Sequence, residues 1–230
     1  MAASSTLHVL RVFTAADGAH GNRLGVFLDG AAVPPDERQR IAADLGYSET
    51  VFVDERHDGT IRIFTPAAEI EFAGHPTVGT AWLLEREGGA PAALRTPVGT
   101  VGIRREGELT FVSARPEWAP AIDYRQLGDP GEVDAADPAI GEGGFPYLWA
   151  WSDEAAGEVR SRSFPGAWGI LEDEATGAAA VGLCARLGRP LTIRQGRGSL
   201  LHARPLEDGT VEVGGAVALD ERREYRLPNS

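Results

Sequence analysis

The chain has 230 residues, of which 43% are hydrophobic, and a formal net charge of −12 at pH 7. This length allows one large domain or two small lobes, with enough apolar material for a real core. The negative charge argues against nucleic acid or an anionic membrane as a partner, because either needs a basic surface. A small anionic substrate is still compatible, since a local pocket can oppose the net charge.

Lysine is absent, so all 22 basic residues are arginine. This excludes enzymes that need a lysine Schiff base and nucleotide-binding P-loops. The single cysteine, Cys184, excludes an internal disulfide framework. The five histidines are scattered without ligand spacing, so no metal site is expected. No apolar run is long enough for a membrane span and the first residues lack a secretory-signal pattern, so a cytoplasmic location is expected.

The first half of the chain is predicted to form strands and two helices. The first helix should begin at Pro34 and Pro35, carry acids in its first turn and stop at Gly46. The second should open at His75 or Pro76, and its nearly uniform apolar character is typical of a helix buried on most sides. Alternating and β-branched stretches predict strands at 7–13, 24–30, 49–55 and 60–66, and two antiparallel strands within 96–116.

The second half begins with a stretch that lacks clear periodicity. Residues 116–145 are rich in Pro, Gly and Asp and are predicted to connect two lobes. A helix of small apolar residues is expected over 172–188, with Gly188 as its stop. Strands are predicted at 157–165, 191–196, 199–206 and 210–219.

The two halves repeat one construction. Each has a strand that ends in an aromatic residue and proline ("RIFTP" and "SRSFP"), followed by an acidic link and a helix start rich in small residues. This predicts an N-terminal lobe over 1–115, to which the C-terminal strand could return, and a C-terminal lobe over 116–230. Two helix N-termini facing one cleft would hold a carboxylate or stabilise developing negative charge.

Several segments carry distinctive motifs, the longest of which is "IRIFTPAAEIEFAGHPTVGTA". This segment is close to the signature around F-A-G-H-P of the phenazine-biosynthesis isomerases, and the chain therefore resembles that family, the PhzF-like proteins. "GNRLGVFLDG", "YSETVFV", "EDEATGAAA" and "RQG" resemble further family motifs. The resemblance is dense over 9–85 and returns over 158–215.

The resemblance implies a fold and a chemistry. The implied fold is that of diaminopimelate epimerase: α+β, with two pseudo-symmetric lobes, each a mostly antiparallel, barrel-like sheet around a central helix. The epimerases use two cysteines as acid and base, where this chain has Ala73 and Asp173, so a two-cysteine racemase is excluded. The implied acid/base is Glu49, supported by His75 and Asp173, without a metal or an organic cofactor. The implied substrate contacts are Asn22, Ser48, Gly74, Thr176, Gly177 and Ala178.

Simpler interpretations of the three key residues exist. Glu49 could be a solvated glutamate beside a strand, His75 a helix cap, and Asp173 an ordinary N-terminal acid stabilised by the helix dipole. Cys184 is interpreted as a small buried core residue.

The chain departs from the family pattern mainly in the second lobe, which is shortened. Glu174 stands where the family usually has proline and adds charge beside the site. Ala178 replaces a serine, which removes one hydroxyl. The loop "QGRGSLLHARP" is abbreviated, and in the first lobe Arg23 replaces the proline of G-N-P.

The sequence therefore supports a cofactor-independent isomerase of secondary metabolism. Glu49 would move a proton within a small cyclic alkene or diene that carries a carboxylate. The alternatives are epimerisation of an amino-acid-like substrate and a small-molecule-binding protein without catalysis. The family also commonly forms dimers, which allows a homodimer here.

Overall fold

The computed structural model describes residues 4–226. Four α-helices occur in this range: α1 (Pro35–Leu45), α2 (Gly74–Arg86), α3 (Pro130–Asp134) and α4 (Gly177–Leu187). The strands of the first half are β1 (Ser4–Thr14), β2 (Asn22–Phe27), β3 (Glu49–Glu55), β4 (Thr60–Phe64), β5 (Glu69–Ile70), β6 (Ala93–Thr96), β7 (Gly99–Glu106) and β8 (Leu109–Ala114). Those of the second half are β9 (Asp123–Gln126), β10 (Pro146–Asp153), β11 (Glu158–Ser163), β12 (Leu191–Gln195), β13 (Ser199–Pro205) and β14 (Val211–Arg226).

The first lobe is a closed barrel of eight strands around α2. The strands follow the order β1, β2, β3, β4, β6, β7, β8 and β14, and β14 pairs back onto β1. Eleven of the 13 residues of α2 are buried, as its apolar composition predicts. The helix packs closely, since a side chain on Gly79 would collide with Leu24 and Val12. The barrel-like sheet around a central helix is therefore confirmed.

The second lobe repeats the order of elements of the first. In each lobe a parallel strand pair is joined by a helix, a hairpin follows, and a buried helix leads to a further hairpin. The helices α2 and α4 occupy equivalent places in this order. The second sheet stays open, because it ends at β9. The two-lobed α+β fold is confirmed, and we propose that the lobes divide near residue 115.

The structure differs from the sequence predictions at one connection, one strand and two helix starts. Residues 116–145 are more than a connection, since they contain β9 and α3; β9 pairs in parallel with β10, a long-range partner that local composition does not indicate. β10 itself was not predicted, although its Tyr147 and Trp149 are buried. The helix α2 begins at Gly74, one residue before the predicted start. The helix α4 begins at Gly177, because the preceding Asp173 instead forms a β-bridge with Ser163.

The N-termini of α2 and α4 touch where the two lobes meet. A Cβ atom added to Gly74 would lie 2.8 Å from the Cα atom of Gly177, and one added to Gly177 would lie 2.8 Å from the Cα atom of Gly74. Only glycine at both positions allows this approach of one backbone to the other.

We expect Gly74→Ala and Gly177→Ala to lower the free energy of unfolding by about 1–3 kcal/mol each, because the new methyl group meets backbone that cannot move aside. Urea denaturation measures the change. Gly102→Ala is the matched control, since its methyl group would meet only the Ser113 side chain at 3.5 Å. Equal stability of the Gly102 and Gly74 variants would contradict a tight contact between the helices.

Candidate active site

Two adjoining hollows lie between the lobes. The inner cavity, of about 40 Å³, borders the glycine contact and has Glu49, His75 and Asp173 on its walls. The outer cleft, of about 900 Å³, adjoins it. The residues that line both hollows are Ile70, Trp168, Ile170 and Asp173.

Glu49 is the first residue of β3 and is buried, with 8% of its surface exposed. Its Oε2 atom lies 3.1 Å from Nε2 of His75. Burial is the main cause that raises the pKa of Glu49 to about 8, and the negative charge of Asp173 adds to the rise. A hydrogen bond from Ser48 acts in the opposite direction. The interpretation as a solvated glutamate is therefore wrong. A carboxyl group in this setting can hold or release a proton near neutral pH.

His75 is the second residue of α2 and is 3% exposed. Burial lowers the pKa of its imidazole to about 3, although a hydrogen bond to the backbone of Arg23 opposes the shift. The ring is therefore neutral at pH 7. The N-cap position of α2 belongs to Ala73, so the interpretation of His75 as a helix cap is wrong. The neutral ring lies beside the carboxyl group of Glu49, and neither Nε2 of His75 nor Oε2 of Glu49 has a hydrogen-bond partner among the described residues.

Asp173 connects the two lobes. Its Oδ1 atom accepts a hydrogen bond of 2.7 Å from Nδ2 of Asn22, and its Oδ2 atom accepts one of 2.6 Å from Oγ1 of Thr176. Asn22 also accepts from Ser48 at 3.1 Å. Burial raises the pKa of Asp173, and the bonds from Thr176 and Asn22 oppose the rise. Asp173 precedes α4 by four residues, so it does not lie in the first turn of the helix as an ordinary N-terminal acid would. Its carboxylate is bound by the side chains of Asn22 and Thr176 instead.

A second layer of buried polar groups supports Asp173. Nε2 of Gln195 donates to the backbone carbonyl of Asp173 at 2.9 Å and to Oγ1 of Thr176 at 2.8 Å. The hydroxyl group of Tyr147 donates to Oγ of Ser161 at 2.8 Å and lies 3.3 Å from Oε1 of Gln195. Sequence reasoning missed both groups. Gln195 stands in the "RQG" motif, which was a usable signal, whereas Tyr147 lies in the strand that was not predicted.

All nine residues expected at the site lie on the two hollows. The outer cleft is lined by Asn22 and Ser48, and Asp173 lies on both hollows. The inner cavity is lined by Glu49, Gly74, His75, Thr176, Gly177 and Ala178. Their roles in binding and catalysis stay predictions.

The added charge of Glu174 is compensated within the fold. Its carboxylate accepts from Oγ of Ser199 at 2.9 Å and from the backbone N–H of Arg197 at 3.1 Å. Nε of Arg197 lies 3.2 Å away as well. Glu174 therefore holds the loop between β12 and β13 against the segment that precedes α4.

Cys184 lies on neither of the two hollows. Cys184 is fully buried in α4, and burial raises the pKa of its thiol to about 12. Within residues 4–226, no group of three or more His, Cys, Asp or Glu side chains could hold a metal ion. No helix of that range is long and apolar enough to cross a membrane.

Comparison with known proteins identifies the family. Residues 10–137 match the family model described as "Phenazine biosynthesis-like protein". The trans-2,3-dihydro-3-hydroxyanthranilate isomerase of Pseudomonas aeruginosa is 33% identical over 92% of this chain and 96% of its own length. The enzyme of the same name from Pseudomonas fluorescens is 31% identical over 80% of this chain and 84% of its own length.

A solved structure agrees with these sequence matches. The PhzF-family phenazine biosynthesis protein of Enterococcus faecalis superposes with a TM-score of 0.80 at 23% identity, over 98% of this chain and all of its own. At 23% identity the structural similarity establishes the fold. The sequence matches establish membership of the family. The protein belongs to the phenazine biosynthesis-like family and is an isomerase.

Proposed function

We propose that the protein isomerises a small cyclic alkene or diene bearing a carboxylate, by moving a proton between two ring carbons without a cofactor. The pathway would be that of a secondary metabolite, as for the dihydro-hydroxyanthranilate isomerases that it resembles. The observation that carries this proposal is the buried carboxyl group of Glu49, which lines the inner cavity beside a neutral imidazole.

Glu49 would act as base and then as acid. In its ionised form it removes a proton from one ring carbon, and the electron pair of that C–H bond enters the conjugated system. The protonated carboxyl group then returns the proton to another carbon, which shifts the double bonds and restores the carboxylate. His75 would orient the carboxyl group, and Asp173 would keep its pKa high enough for both steps.

The helix N-termini at the cavity would bind the substrate carboxylate. Gly74 and Gly177 begin α2 and α4, and neither helix has a hydrogen bond from an N-cap side chain. The first backbone N–H groups of a helix are favourable anion ligands. The charge that develops on the conjugated system during proton transfer would lie near the same positive ends.

Substrate entry would require a movement at the inner cavity. Ligand pockets usually measure about 300–1,000 Å³, whereas this cavity measures about 40 Å³. Trp168 and Ile170 lie between it and the outer cleft. These two side chains would have to move aside for a ring to reach Glu49.

Turnover of trans-2,3-dihydro-3-hydroxyanthranilate in deuterated water tests the proposal. We expect Glu49→Gln to lower the rate at least about 100-fold, because the amide cannot carry the proton, while ligand binding persists. Glu37→Gln is the matched control, since Glu37 is also buried but lies on α1, away from both hollows.

Normal turnover by Glu49→Gln would exclude the proton shuttle. The product separates the competing chemistry: shifted double bonds indicate isomerisation, with deuterium at the new ring carbon only when the Glu49 proton exchanges with solvent before its return, and inversion with label at the original carbon indicates epimerisation.

The raised pKa of Glu49 predicts a pH-dependent stability. The folded state binds this proton more tightly than the unfolded chain, where the pKa is about 4.5. The stabilisation is therefore complete below about pH 4.5 and is lost as the pH rises to about 8. Urea denaturation from pH 5 to 9 should show wild type losing stability relative to Glu49→Gln, by a few kcal/mol in total.

The same titration tests the coupling to Asp173. Asp173→Asn removes a neighbouring negative charge and lowers the pKa of Glu49 in the folded state only, so the loss should end at a lower pH and be smaller in total. Parallel pH curves for wild type and Glu49→Gln would contradict a raised pKa at Glu49.

We further propose a homodimer in the cytoplasm, the state and location expected at the level of sequence. Gel filtration should then give an apparent mass near twice the 24.4 kDa of the chain. Elution at the monomer mass across micromolar concentrations would argue for a single chain.

A further inference from the structure

We propose that Arg23 forms an anion-binding subsite in the outer cleft, which selects a substrate with a second carboxylate remote from the carbons that exchange the proton. This inference rests on the proposed function, because it assigns the substrate class of the same site. It concerns the residue at which the chain departs from the G-N-P motif of the family.

Arg23 is the only basic residue that lines the outer cleft within the described range. It is the second residue of β2, next to Asn22, and it is exposed. Among residues 4–226, its guanidinium group has no salt-bridge or hydrogen-bond partner; the bonds that His75 and Ser48 make to Arg23 involve its backbone. A guanidinium group presents a planar fork of donors that suits a carboxylate, so an uncompensated one in a cleft is a ready anion ligand.

The acidic residues of the cleft already have their partners. Both carboxylate oxygens of Glu172 accept from Arg162, each at 2.8 Å. Glu174 is bound by Arg197 and Ser199, and Asp173 by Asn22 and Thr176. None of these acids pairs with Arg23. The positive charge of the Arg23 side chain is therefore available to a ligand.

Arg23 contacts a residue of the inner cavity, His75, through its backbone and lines the outer cleft through its side chain. The imidazole of His75 hydrogen-bonds to the backbone of Arg23, while the Arg23 side chain lines the outer cleft. Asn22 and Ser48 line the same cleft, and Ser48 is adjacent in sequence to Glu49. A ligand held at the helix N-termini could therefore extend past Trp168 and Ile170 to Arg23. The volume of about 900 Å³ accommodates such an extension.

Binding of stable ring analogues tests the subsite directly. The probes are anthranilate and the amino-benzenedicarboxylates that add a second carboxylate at each ring position in turn, measured by isothermal titration calorimetry. We expect at least one dicarboxylate to bind wild type about 10-fold or more tightly than anthranilate, the effect of one charge-assisted hydrogen-bonded pair. Arg23→Gln should reduce that preference to about twofold or less, and Arg23→Lys should keep part of it.

Arg194→Gln is the matched control, since Arg194 is exposed on β12 and lies on neither hollow. It should leave the preference unchanged, and thermal unfolding should show that all variants remain folded. Wild type that binds no dicarboxylate more tightly than anthranilate, or an Arg23→Gln variant that keeps the full preference, overturns the subsite.

The same titrations in Glu49→Gln separate this inference from the proposed function. A preference that persists there supports the subsite whatever the turnover experiment shows. Normal turnover by Glu49→Gln would exclude the proton shuttle and leave the evidence for the Arg23 subsite unchanged. A dicarboxylate preference that is absent, or that Arg23→Gln keeps in full, would exclude the subsite and leave the evidence for the shuttle unchanged.

Discussion

The contact between Gly74 and Gly177 is the constraint on which the arrangement of the site depends. Two helices from different lobes meet N-terminus to N-terminus, at a distance that no side chain allows. This places two sets of unpaired backbone N–H groups on one small cavity and brings Asn22 of the first lobe within hydrogen-bonding distance of Asp173 of the second. Positive helix ends and buried carboxyl groups thus lie side by side, an arrangement that suits the transfer of a proton next to a bound anion.

Some polar groups around this contact set the protonation of Glu49 and Asp173, and others hold these residues in position. Burial makes a second negative charge costly, so Glu49 holds its proton to a higher pH than an exposed glutamate. Hydrogen bonds from Asn22 and Thr176 favour the ionised form of Asp173 instead. Gln195 fixes Thr176 and the backbone of Asp173 from behind. Two carboxyl groups in one cavity are thereby given different environments, which is how proteins assign different protonation states to similar side chains.

Much of this arrangement could be predicted from the sequence, and the limits have physical causes. The motif around Gly74 and His75 carries its own capping, burial and strand signals, so both the helix and its place at the site were predictable. The internal repeat indicated the partner helix. By contrast, β9 and β10 form a parallel pair whose partners are far apart in sequence, and local composition does not encode such pairing. The support of Asp173 by Gln195 likewise depends on the register of β12 against β11, which only the folded sheet sets.

The last strand, β14, has a mechanical consequence. Its first part pairs with β13 and β8, and its remainder pairs with β1 and closes the barrel. One continuous strand therefore belongs to the sheets of both lobes, and neither sheet is complete without it. A movement of one lobe against the other would therefore have to twist this shared strand as well as shift the segment between β8 and β9.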